Sequence, residues 1–203
     1  MADKITIINR ALTILGAEPI NDLADTTLEA NVANRIYTES RQSILEERLW
    51  TFATKRVLLN LVVTPLAWVK DDMNFLFQLP SDYLRIFGIN ATWVRWRIEQ
   101  DKLVSDSNNV GIIYVFDMTD TTKFTPSFVD AFADKLAADM SFYVNNSKSS
   151  TSDLTEKYNG VSLPRAMSQD SQGQGTPEQI NDDLWVTAKF GYSPVGSQGR
   201  RIA

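Results

Sequence analysis

Three adjacent acid pairs, Glu46-Glu47, Asp71-Asp72 and Asp182-Asp183, are the residues whose type and spacing first suggest chemistry. Glycoside cleavage needs two carboxylates about 5–9 Å apart across the scissile bond, one of them held protonated. Successive residues on a helix diverge by about 100°, so Glu46 and Glu47 cannot converge on one substrate, and the pairs read as solvated surface. Asp117, Asp120 and Asp130 could meet a hard cation, but the EF-hand spacing is missing and Asp117 to Asp120 reads as a turn. Gly173 and Gly175 begin a G-x-G without its third glycine, and the chain has neither a Walker loop nor a G-x-S-x-G elbow. The 203 residues include no cysteine and no histidine. That excludes thiol nucleophiles, Ser–His–Asp triads, histidine bases, zinc fingers and haem ligation through histidine. The expectation is a protein that is not an enzyme and uses neither cofactor nor metal.

Two further segments point to surfaces instead. Trp93 to Arg97 (WVRWR) read as a strand puts Trp93, Arg95 and Arg97 on one face and Val94, Trp96 and Ile98 on the other. Aromatics alternating with arginines can stack nucleic-acid bases, but Trp and Arg are equally the residues of protein interfaces. A net charge of −5 weighs against a nucleic-acid face, so the segment is read as sheet core plus subunit interface. The second segment, Leu184 to Val186 with Phe190 and Tyr192, is apolar and follows the Ser/Gln/Gly-rich stretch 168–176, the composition of a flexible linker. With little core nearby to join, such a patch marks contact with a partner.

These segments need a scaffold. The composition is 43% apolar and 22% charged, that of a globular chain, and a chain of this length buries roughly 70% of its unfolded surface. Apolar residues three and four apart predict a helix over 3–16, started by Asp3 and stopped by Gly16. Thr26 and Glu29 have capping-box spacing and predict a helix over 27–49. Its exposed face would carry Glu39 and Glu46. From 51 to 124 short β-prone runs alternate with turn clusters, predicting a mostly antiparallel sheet of four to six strands. Thr125-Pro126 starts a third helix, with Asp130 and Asp134 on its solvent side. A fourth starts near Thr151 and is interrupted around Asn159-Gly160 and Pro164. The fold class is α+β: a bundle of about four helices (1–50 and 125–171), an inserted β-rich lobe (51–124), and an extended linker and docking tail (172–203). The amino terminus shows no secretion signal, and no apolar run approaches the ~18 residues of a membrane helix, so synthesis in a cytoplasm without membrane insertion is expected.

Taken together, several stretches resemble one family. They are Asn9 to Ile20 (NRALTILGAEPI), Leu23 to Thr27 (LADTT), Ala30, Tyr37, Arg41, Leu45 and Trp50 to Arg56 (WTFATKR). Phe77 to Arg85 (FQLPSDYLR), Tyr114 to Asp120 (YVFDMTD), Phe124 to Phe128 and Leu136 to Ala138 complete the pattern, over about 10–170. The pattern is similar to that of tail tubular protein A, the tail adaptor or head-to-tail connector of short-tailed bacteriophages. The resemblance implies a helical bundle with a β-rich lobe and no catalytic motif. It also implies a dodecameric ring in the virion tail, beneath the portal protein, with the tail nozzle (tail tubular protein B-like) below and DNA passing through the channel. Asp182 to Lys189 (DDLWVTAK) resembles the family's terminal Trp-x-x-Ala-Arg pattern, with Lys189 where arginine is usual.

From this follow site expectations. Leu184, Trp185, Val186, Lys189 and Phe190 dock on portal or a neighbouring subunit. Trp93, Arg95 and Arg97 form a subunit interface. Glu39, Glu46, Asp130 and Asp134 are candidate acids of the channel wall, where like charge would repel phosphate and let DNA slide. The rival readings are a glycan or cell-wall hydrolase using paired carboxylates, a connector or stopper of another phage tail class, and a nucleic-acid module built on Trp93 to Arg97.

Overall fold

Asp3 starts the first helix, α1 (Lys4–Leu15), by accepting the Thr6 amide at 2.7 Å, and Gly16 ends it at φ 69°, a left-handed conformation that glycine adopts freely. The computed structural model describes residues 3–63, 73–90, 93–145 and 148–172. Hydrogen bonds from the Thr6 side chain and backbone hold the Asp3 carboxyl below its ordinary value of 3.8. A carboxyl with a lower folded than unfolded pKa stabilises the fold above the unfolded value, and that stabilisation is lost as pH falls through the folded one. Asp3→Ala is therefore expected to lower the melting temperature at neutral pH. The gap to the parent should close as pH falls from about 4 downward, which paired thermal melts across that range will show.

The second helix, α2 (Leu28–Glu46), is capped by Thr27, whose hydroxyl oxygen accepts the Ala30 amide at 3.3 Å. The expected cap was Thr26. With the cap one residue later, Glu29 falls in the first turn, where its charge complements the helix dipole without a reciprocal bond. The α1–α2 loop is held by Asn9, which both donates to the Ile20 carbonyl and accepts the Ile20 amide at 2.9 Å.

Helix α3 (Pro126–Asn145) follows the Thr125 cap, whose Oγ1 accepts the Phe128 amide. It is buried on nearly every side, because α1, α2 and the last helical run all pack on it. That run comprises α4 (Lys148–Lys157), a π-helical turn (Tyr158–Ser162) and α5 (Leu163–Gln172). The expected interruption at Asn159-Gly160 is this turn, closed by Leu163 N–H to the Tyr158 carbonyl. Pro164 has no amide to donate and its ring crowds the carbonyl four residues back, which the wider turn relieves. Helix persists to Gln172, so the linker composition beginning at Ser168 is still helical there.

Among the described residues seven strands form two antiparallel sheets, where one sheet of four to six strands was expected. They are β1 (Thr54–Leu58), β2 (Leu61–Val63), β3 (Phe75–Gln78), β4 (Tyr83–Ile89), β5 (Trp96–Glu99), β6 (Lys102–Ser105) and β7 (Gly111–Phe116). The three-stranded sheet runs β1-β7-β4 and the four-stranded sheet β2-β3-β6-β5. Between Phe87 and Trp96 the chain leaves β4 at Ile89 and enters β5 only at Trp96. Side chains of β7 alternate between two apolar clusters. Val115 joins the helices in a cluster with Trp50, Phe128 and Phe132. Ile112 and Tyr114 join Phe77 and Leu103 of the other sheet. The architecture is α+β.

Candidate functional site

Internal joints fix the surfaces of the lobe and the bundle. Arg41 of α2, its side chain 9% exposed, grips Asp117 just beyond β7 with Nε and Nη2 at 2.7–3.2 Å, and Gln42 adds a bond at 3.0 Å. Lys55 of β1 reaches Asp82 at 2.6 Å, and the Tyr114 hydroxyl donates to the same carboxylate at 3.2 Å. Burial raises the Asp82 carboxyl, but Lys55 and Tyr114 outweigh it and hold it below the ordinary range. Burial, followed by the Asp82 charge, pushes Tyr114 up to about 12. Near the end of the last described helix, Asp170 of α5 accepts the Thr51 hydroxyl at 2.6 Å and the Thr51 amide at 3.2 Å, with Arg48 at 4.0 Å.

The four candidate channel acids separate. Glu39 and Glu46 are exposed on α2, and a spacing of seven residues puts them on one stripe about 10 Å apart. Asp130 is half exposed and paired with Arg10 at 2.6 Å. Asp134 is not on a solvent face. It is buried, bonded to Lys157 at 2.7 Å and to the Ser162 hydroxyl. The periodicity of α3 assigned that side to water because it could not show that α4 and α5 cover it. These residues, with Arg10, Arg165 and Val161, border a cavity of about 300 Å³. Each of its carboxylates is engaged by a cation. Among the described residues no group of three or more acids is arranged to hold a metal ion.

The Trp–Arg segment is also rearranged. The strand begins only at Trp96, so Trp93 and Arg95 precede it and do not share a strand face with Arg97. Trp93 is 93% exposed, the most exposed large apolar side chain among the described residues. Arg95 binds Asp106 at 3.0 Å, and Arg97 binds Glu99 at 2.5 Å. Trp96 and Ile98 lie opposite the buried Ser105 and Leu103 and so share the lobe-cluster face, but on the edge strand β5 they stay 36% and 41% exposed. The docking candidates Leu184, Trp185, Val186, Lys189 and Phe190 lie outside the described residues, as do the acid pairs Asp71-Asp72 and Asp182-Asp183.

One surface was missed in the sequence. A trough of about 400 Å³ opens on the three-stranded sheet beside Arg56, Leu58, Asn90 and Ile113. Its signal was available: Gly88 and Gly111 interrupt β-prone runs, and an isolated glycine in a strand often marks close approach of another backbone.

No protein-family model matches the chain, and no curated protein matches it.

Proposed function

We propose that this chain is the adaptor subunit of a short-tailed bacteriophage. In this reading it closes into a ring, dodecameric as in the family it resembles, that joins the portal protein to the tail nozzle and passes DNA. The observation that carries the reading is where the resembling residues fall. Asn9, Arg41, Trp50, Asp82 and Asp117 hold joints inside the fold, while large apolar side chains, Trp93 foremost, face outward on the β lobe. A protein acting through shaped surfaces needs this division: an interior that fixes relative positions and an exterior with interface residues. Closure needs heterologous contacts between copies. Glu39 and Glu46 are the acids that support a like-charged channel wall, since Asp130 is paired and Asp134 is buried.

The test is the mass of the protein alone and after mixing with its portal. The expected result is a monomer alone and a closed ring on portal. No mass gain on portal, or release of glycan fragments from cell wall by the purified protein, overturns the reading. Trp93→Ser is expected to leave the melting temperature unchanged, since the ring touches mainly solvent. A buried aromatic anchor at an interface is worth about 2 kcal/mol or more. Titration of the variant onto portal should therefore need at least tenfold more protein for the same ring occupancy. Truncation after residue 176 is expected to weaken portal binding if the terminal apolar segment docks there.

A further inference from the structure

Half of one sheet face stands uncovered. Residues opposite one another in an antiparallel pair share a face. Thr54 and Arg85 lie opposite Val115, which belongs to the helix-side cluster. The next row on that face is Arg56, Ile113 and Gly88, and the next is Leu58 and Gly111. These outer rows leave the helices behind: Leu58 is 62% exposed. Gly111 offers no side chain beside Leu58, and a Cβ there would meet only Asn90 and the Val57 carbonyl, at 3.4 Å. The result is the trough of about 400 Å³, closed at one end by Asn90, whose Oδ1 accepts the Gly111 amide at 2.9 Å.

The trough borders an open strand edge. In the order β1-β7-β4, nothing among the described residues pairs with the outer side of β1. The Leu59 amide bonds to the Val110 carbonyl at 2.8 Å, so the antiparallel alternation turns the backbone groups of Arg56 and Leu58 to that open side. Arg56 has no ion-pair partner among the described residues, whereas its neighbour Lys55 is committed to Asp82. The site thus offers backbone donors and acceptors, an apolar hollow and one uncompensated positive charge. That combination suits an extended segment carrying acids next to apolar residues.

We infer that the occupant is the segment Asp182 to Val186 (DDLWV) of a second copy of this chain, added as a strand at the open edge of β1. The inference deepens the adaptor reading and rests on it. Asp182 meets Arg56, and Leu184 and Val186, two and four residues on, share its face and fill the hollow. Nine residues lie between Gln172 and Asp182, and the ten steps span up to about 33 Å when extended, enough to reach a neighbouring copy.

The chain has no cysteine, so disulfide trapping has no background. Full-length Leu58→Cys and full-length Val186→Cys proteins are mixed with portal and mildly oxidised. The expected product is a covalent dimer of the two variants, at least tenfold more abundant than with Val161→Cys, an exposed control position, in place of Leu58→Cys. Adding Arg56→Glu should cut the yield at least tenfold, and adding Asp182→Lys to the Val186→Cys partner should restore it. Absence of the dimer while the ring still forms on portal overturns the seat and leaves the adaptor reading standing. A dimer no more abundant than the control, or no response to charge reversal, also overturns it. So does a chain carrying both cysteines that closes only on itself. Specific cross-linking in a protein that never adds to portal supports the seat and overturns the adaptor reading instead.

Discussion

Trp50→Ala is expected to destabilise the protein by about 3–5 kcal/mol, the range for deleting a large buried aromatic. Trp50 has no exposed surface, and its indole N–H donates to the Ile44 carbonyl at 3.0 Å. Its ring meets Phe128 edge-on with centroids 4.9 Å apart and lies 6.0 Å from Phe52, and Phe128 in turn touches Phe124 at 4.8 Å. The substitution removes the stack's anchor at the point where α2 hands over to β1. Against a total stability of roughly 5–15 kcal/mol the loss is large, and at about 2–4 °C per kcal/mol it should lower the melting temperature by roughly 10 °C. Trp50→Phe keeps a ring in place and should lose much less. Urea unfolding of both variants checks the pair. A loss below about 1 kcal/mol for the alanine variant would mean that the aromatic cluster closes around the gap.

Arg41→Ala is the second large effect, at about 3 kcal/mol, the low end of the range for breaking a buried pair. The reason is less the attraction lost than the partner left behind. Asp117 is mostly enclosed, and it would keep only the Gln42 bond at 3.0 Å after losing the guanidinium. Removing both charges is a different matter, because the remaining carboxylate no longer has to be accommodated. The variant Arg41→Met with Asp117→Leu should therefore be markedly more stable than Arg41→Ala alone. A double-mutant cycle measured by denaturant unfolding gives the coupling directly. Additive single effects would show that the pair does not join α2 to β7 energetically.

Helix boundaries were legible where one residue type admits one role. Asp3, Gly16 and the Thr125-Pro126 step each mark an end, because capping chemistry is local. Thr26 and Thr27 show the limit: two adjacent threonines offer the same hydroxyl, and only the geometry chooses the second. The sheets were less legible. Strands of three to seven residues carry too few alternations to fix a register. That two sheets form, and not one, depends on which runs pair across the chain. Site residues divide in the same way. Glu39 and Glu46 were placed outward by the pattern of α2 alone, whereas Asp134 needed knowledge of a helix twenty residues further on. Arg95 and Arg97 were expected on one strand face, but Arg95 precedes the strand, and Asp106 and Glu99 engage the two separately.

β7 is a party wall. Because its side chains serve the helical cluster and the lobe cluster in turn, neither compartment can swing without shearing packed atoms in the other. A hinge would need a connection that belongs to neither, and this strand belongs to both. Heating should therefore dissolve bundle and lobe in one calorimetric step.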